Sequence, residues 1–178
     1  HYPLRRQRQM CIRDRFLIIV SFFYSAYIYL YAYDGHHHGY IYSNAIDLIN
    51  GRLPYKEIFI QYGILTTIIH SLIILLFGEN IYYINLINIF IYSSSIFLIF
   101  LITSKIINNY YAFLATFLIL TNHPIPWLPW SNYISFFFIL LGLFFYIKKF
   151  KYFYLYTGIS LAFACLSRQD YFIPIFIT

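Results

Sequence analysis

The chain has 178 residues, of which 61% are hydrophobic, 24% aromatic and 10% charged, and its net charge is +6. A soluble domain of this size carries about 25% charged residues. The composition therefore excludes an ordinary soluble globule and predicts an all-α, polytopic transmembrane helical bundle, because charge-free runs recur that approach the ~20 helical residues needed to cross a ~30 Å hydrocarbon core.

The first fifteen residues stand apart. Arg5, Arg6, Arg8, Arg13 and Arg15 supply five of the twelve basic residues. The stretch Arg6-Gln-Arg-Gln-Met-Cys-Ile-Arg-Asp-Arg reads as a translated sequencing adaptor, which separates residues 1–15 from a native segment, 16–178. The alternative is a basic cytoplasmic tail ahead of a first membrane helix. Without residues 1–15 the net charge falls from +6 to +2, so the basic balance carries no argument for nucleic acid. The sequence stops within the apolar run Tyr171–Thr178, and a fragment of a longer protein is expected. Cys11 and Cys165 form neither a disulfide framework nor a metal pattern, and Cys165 reads as a small apolar residue.

In chain order, Phe16–Tyr33 is an 18-residue charge-free run and the first predicted membrane helix. It gives way to the polar stretch Asp34-Gly-His-His-His-Gly-Tyr. Tyr40–Asn50 predicts a short interfacial helix, capped by Ser43 or Asn44 and closed by Gly51 ahead of Pro54. Ile58–Gly78 is apolar but interrupted by Gln61, Gly63 and His70. Asn80–Ser104 predicts a full span and Ile106–Thr121 a shorter one. Asn122–Tyr133 reads as a Pro-rich loop whose Trp127 and Trp130 suit a membrane interface. Ile134–Ile147 predicts a span closed by Lys148, Lys149 and Lys151. Tyr152–Ser167 predicts another, interrupted at Arg168-Gln-Asp.

Lysine placement gives a topology. Lys105 and the Lys148/Lys149/Lys151 cluster are expected on the cytoplasmic side. With the start of the first helix also inside, the Asp34 loop is outside, and Asn80–Ser104 runs inward. Ile58–Gly78 then has no room to cross and is expected to be re-entrant or to lie on the outer surface. All five acids after residue 15, Asp34, Asp47, Glu57, Glu79 and Asp170, fall on that outer side.

His36–His38 raise a metal alternative. Three adjacent histidines point in different directions in most backbones, so a polar interfacial loop is the favoured reading. The alternative has His36 or His38 join Asp34 or Glu57 around a divalent cation; no cofactor is otherwise expected. His70 reads as a satisfied histidine, Asp47 as a water-facing charge, and Glu57 as a loop charge or a site residue.

The order first helix, Asp34, short helix, Leu48-Ile-Asn-Gly-Arg-Leu-Pro-Tyr-Lys-Glu57, Tyr62-Gly63, then Leu76-Phe-Gly-Glu-Asn80 resembles the GT-C superfamily of membrane glycosyltransferases. It is most similar to the protein mannosyltransferase and aminoarabinose transferase-like members, over residues 16–178. The resemblance implies membrane-lying helices in the first outer loop and a location in the bacterial inner membrane. It also implies transfer of a sugar from a polyprenyl-phosphate donor to a glycan, lipid or protein acceptor on the outer face. Asp34 matches the first-loop acid that acts as base or orients the acceptor. General-base help of this kind contributes roughly 10²–10⁴-fold. Cations should surround the leaving phosphate, and Lys56, Arg52 and Arg168 are the candidates. Gly35 and Asn132 stand where many members carry acids; Asn132 can orient a substrate by hydrogen bonds but cannot serve as a base. A transporter or flippase, and a non-catalytic scaffold, are the alternatives.

Overall fold

Apolar runs of this kind satisfy their backbone groups within helices, and the computed structural model is built that way. It describes residues 15–28, 34–122 and 129–177. The helices are α1 (Arg15–Ile28), α2 (Gly35–Ile49), α3 (Ile64–Phe77), α4 (Ile81–Ile106), α5 (Asn109–Asn122), α6 (Ser131–Lys148), α7 (Phe153–Ser167) and, after a single 3-10 turn at Gln169–Tyr171, α8 (Phe172–Ile177). No strand occurs among the described residues; Pro54 and Ile58 form one isolated bridge. The adaptor-like stretch before Arg15, the end of the first apolar run and most of the Pro/Trp loop lie outside the described residues.

Among the described residues two helices, α4 and α6, are long and apolar enough to cross a membrane. At 1.5 Å per residue they measure about 39 and 27 Å, whereas α3 measures about 21 Å, short of a ~30 Å core.

The packing order follows from small and large side chains along α4. Tyr92, Ile91 and Ile96 of α4 meet Tyr133 and Ile134 of α6 and Leu120 of α5. About two turns further on, Leu98 and Ile102 meet Leu140, so α4 and α6 run in the same direction. Helix α1 runs against them: Leu17 packs on Phe100 and Ala112, and Val20 and Tyr24 pack on the Tyr92 cluster. Helix α7 returns along α6, with Phe163 on Phe138 and Tyr156 on Phe145. Gly142 lets the two backbones approach there, and the Thr157 hydroxyl donates to its carbonyl at 3.2 Å.

This alternation sorts the charges. Arg15, Lys105, Lys148, Lys149 and Lys151 all fall at one end of the bundle, beyond the Leu17–Phe100 and Ile102–Leu140 contacts. The starts of α4 and α6 and the end of α7 fall at the other. Helices α2 and α3 pack there in parallel: Ala45 packs with Ile74 and Ile84, and the Ser71 hydroxyl donates to the Ala45 carbonyl at 3.1 Å. Helix α3 bridges from the end of α7 to the first turns of α4. Its start is tied to Ser167 by Gly63, and its His70 faces Asn88.

Three expected boundaries move, the first being the start of α3, which is Ile64 and not Ile58. Helix α2 begins at Gly35, not at Tyr40, and its cap is Asp34 rather than Ser43 or Asn44. A carboxylate that accepts a first-turn N–H is a strong start signal, enough to carry the modest helix formers behind it. Asn44 instead lies inside the helix and donates to the Phe59 carbonyl at 3.0 Å. The end is as expected, with Gly51 at φ 80 after the last turn, a conformation glycine adopts without a Cβ clash. Ser131-Asn-Tyr133, read as loop, is the first turn of α6.

Candidate functional site

Asp34 is positioned by the start of α2. Its Oδ1 accepts the His36 N–H at 2.9 Å, and its Oδ2 meets Nδ1 of His37. Its backbone carbonyl accepts the His38 N–H at 3.1 Å and receives His38 Nδ1 at 2.8 Å. Asp34 and His37 thus stand in the N-cap and third-position relation that lets two side chains at a helix start meet. The His37 imidazole beside it and the His36 N–H hold the Asp34 carboxyl below its ordinary value. The carboxylate side chain is 31% exposed.

His37 carries the site to the next element. Its ring packs edge-on against Trp130, the residue that caps α6, with centroids 5.5 Å apart. Helix α6 starts with no side-chain cap. Trp130 Nε1, Ser131 Oγ, Asn132 Oδ1 and Ser135 Oγ are buried there without a hydrogen-bond partner among the described residues. Elsewhere the hydroxyls of Ser95, Thr116, Ser160 and Ser167 bond the carbonyl four residues back in their own helix, the usual recourse of a helical hydroxyl.

The 51–63 segment forms the other wall. Leu53 anchors a tight turn whose carbonyl accepts the N–H groups of Lys56, Glu57 and Ile58. The Tyr40 hydroxyl donates to the Phe59 carbonyl and accepts the Gln61 N–H, fastening the segment to α2. Tyr40, Asn44, Gln61, Thr66 and Ser131 line a cavity of about 20 Å³ between α2, this segment, α3 and α6, room for one water molecule.

At its far end the segment meets α7 backbone to backbone. The Gly63 N–H donates to the Ser167 carbonyl at 3.1 Å. A Cβ on Gly63 would lie 1.9 Å from the Leu166 carbonyl oxygen. Gln169 Nε2 donates to the Tyr62 carbonyl at 3.3 Å, and the Arg168 guanidinium lies over the Tyr62 ring at 5.2 Å.

The residues singled out from sequence separate accordingly. Asp34 is linked through His37 to Trp130 at the start of α6, the helix whose first turn carries Asn132. Arg168 stands beside the 51–63 segment but is paired with Asp170 at 2.9 Å. Arg52 is paired with Asp47 at 3.0 Å. Glu57 turns its carboxylate back onto the Leu53 N–H at 2.8 Å, closing its own turn. Lys56 is exposed on that turn and has no ion-pair partner among the described residues.

The helix places His36 and His38 on different faces. Residues two apart on a helix face away from each other. His36 is exposed, and His38 is buried with Nδ1 on the Asp34 carbonyl. Among the described residues no group of three or more His, Cys, Asp or Glu side chains could hold a metal ion. Burial pushes the His38 pKa down, against the raising influence of Asp34 and Asn85.

Sequence reasoning passed over His37, grouping it with its two neighbours. The signal that singles it out is its spacing of three from the capping acid. No family model, curated protein or solved structure matches the chain.

Proposed function

We propose that this chain is a polytopic, membrane-embedded glycosyltransferase of GT-C type. It moves a sugar from a polyprenyl-phosphate donor to a glycan, lipid or protein acceptor at the outer face of a bacterial inner membrane. Support for the membrane comes from large apolar side chains that face away from the rest of the bundle. Tyr110, Tyr111, Leu114 and Leu118 of α5, and Leu155 and Ile159 of α7, are exposed. A contiguous patch of that kind is rare on soluble monomers. The grouping of Lys105, Lys148, Lys149 and Lys151 at one end supports a cytoplasmic location for that end and an outer one for the Asp34 end.

One observation carries the catalytic part of the reading. Asp34 is a partly exposed carboxylate, stabilised in its ionised form at the start of α2. It stands at the end of the bundle opposite Lys105 and Lys148, near buried polar atoms at the α6 start that lack partners among the described residues. Transfer needs an acceptor hydroxyl to lose its proton and a phosphate to leave. Asp34 serves the first need, as the base itself or as the acid that orients the groups acting there. Lys56, and Arg168 if it parts from Asp170, serve the second by offsetting the charge that develops on phosphate. Asn132 orients a sugar hydroxyl.

The test is turnover of undecaprenyl-phosphate-linked hexoses and pentoses by the full chain in nanodiscs. Asp34→Asn is expected to insert at wild-type levels and to lose transfer. Wild-type turnover in that variant would remove Asp34 from the mechanism.

A further inference from the structure

We propose that His37 is the proton acceptor of this site and that Asp34 is the positioning residue behind it, an inference that rests on the transferase reading above. Both Asp34 oxygens are already engaged, Oδ1 by the His36 N–H and Oδ2 by His37 Nδ1. A carboxylate stabilised as an anion is a poor proton acceptor, since efficient general bases have pKa values near the working pH. With Nδ1 committed to Asp34, the remaining ring nitrogen, Nε2, points away from the carboxylate and has no hydrogen-bond partner among the described residues. The His37 side chain is 35% exposed, so a substrate can reach it.

A second observation, independent of this pair, lies at the adjacent start of α6. Trp130, against which the His37 ring packs, begins α6. The next residue, Ser131, is 1% exposed, lines the cavity shared with Tyr40 and Asn44, and leaves its hydroxyl without a partner among the described residues. Buried polar groups are ordinarily satisfied. The cavity that Ser131 lines has room for one water molecule beside the α6 start, and the Nε1 of Trp130, on which the His37 ring packs, is also buried without a partner among the described residues. The titratable groups facing the ring among the described residues are Asp34, His36 and His38 of α2; α6 contributes Trp130, which does not titrate.

The step balances as follows. The acceptor hydroxyl oxygen forms a bond to the anomeric carbon. The bond from that carbon to the donor phosphate oxygen breaks, and its electron pair leaves with polyprenyl phosphate. The hydroxyl proton moves to Nε2 of His37, and the resulting imidazolium faces the Asp34 carboxylate, which keeps its charge. This is the division of labour that an orienting carboxylate and an imidazole base allow.

The experiment has an arm that needs no turnover. In ¹⁵N-histidine-labelled protein in nanodiscs, above neutral pH, His37 is expected to carry its proton on Nδ1 with Nε2 bare. Asp34→Ala is expected to move that proton to Nε2. The second arm is turnover of undecaprenyl-phosphate-linked sugars. His37→Gln should lower kcat by roughly 10²–10⁴-fold with little change in KM. Added imidazole should restore part of the activity of His37→Gly and none of that of Asp34→Ala. Full turnover in His37→Gln, or a proton on Nε2 in the wild-type protein, overturns the proposal. Nδ1-protonated His37 in a protein that consumes no donor supports the pair and overturns the transferase reading instead.

Discussion

Gly63→Ala isolates the contact that fixes the 51–63 segment to the end of α7. Gly63 has φ −71 and ψ 150, a conformation alanine adopts freely. Any penalty therefore comes from space, not from backbone strain. The added Cβ would sit 1.9 Å from the Leu166 oxygen, 2.5 Å from the Leu166 carbonyl carbon and 2.6 Å from the Ser167 carbonyl carbon. All three atoms are backbone, so no side-chain rotation relieves the clash, and the segment must move off α7. Overpacking of this kind costs about 1–3 kcal/mol, and losing the Gly63 N–H bond to Ser167 adds about 1 kcal/mol. Reduced unfolded-state freedom returns about 0.4–1 kcal/mol. The expected net loss is about 1–4 kcal/mol, at roughly 2–4 °C of Tm per kcal/mol for a chain of this size. Gly158→Ala is the matched control: it lies within α7 with nothing within 4 Å of its added Cβ, and should stabilise by about 0.5–1 kcal/mol. Thermal unfolding of both variants in detergent checks the pair. Gly63→Ala at or above wild-type stability would refute the reasoning that places Tyr62-Gly63 against α7.

Other expectations concern charge and sidedness. Burial holds the folded-state pKa of His38 below the ordinary 6.5. On acidification the unfolded chain takes up this proton first, so stability falls as pH drops below about 6.5 and levels off once the lower folded value is passed. His38→Gln should flatten that slope in pH-dependent melting curves. Cysteines placed at Glu57 and Glu79 should react with an impermeant maleimide in intact cells, and one at Lys149 only after permeabilisation; labelling of Glu57 and Glu79 positions from opposite sides would remove the non-crossing role of α3. Lys56→Gln should raise the donor KM about tenfold, as loss of one charge-assisted contact does, with unchanged melting.

The helices that cross-pack were legible because their runs are bounded by charge. Lys105 closes α4 and Lys148 closes α6, and the expected Asn80–Ser104 and Ile134–Ile147 differ from the observed spans by a few residues. The start of α2 was not legible by composition. Glycine and histidine form helix poorly, and only the Asp34 cap explains why the helix begins there. The role of Gly63 was hidden for another reason: its neighbour Ser167 is remote in sequence, and no local pattern announces a close approach. The site followed the same division. Asp34 stood out as an acid where an apolar run meets a polar one. The pairings that occupy Arg52, Glu57 and Arg168 depend on turns and helix ends that composition does not encode. His37 is visible only once residues 34–37 are known to be a helix start.

Release of undecaprenyl phosphate from its linked sugars, followed by mass spectrometry for the purified wild-type chain in nanodiscs, tests the transferase reading most directly. Time-dependent release from at least one hexose or pentose donor, lost in Asp34→Asn, is the predicted result. An intact, correctly inserted protein that releases undecaprenyl phosphate from none of them would contradict it.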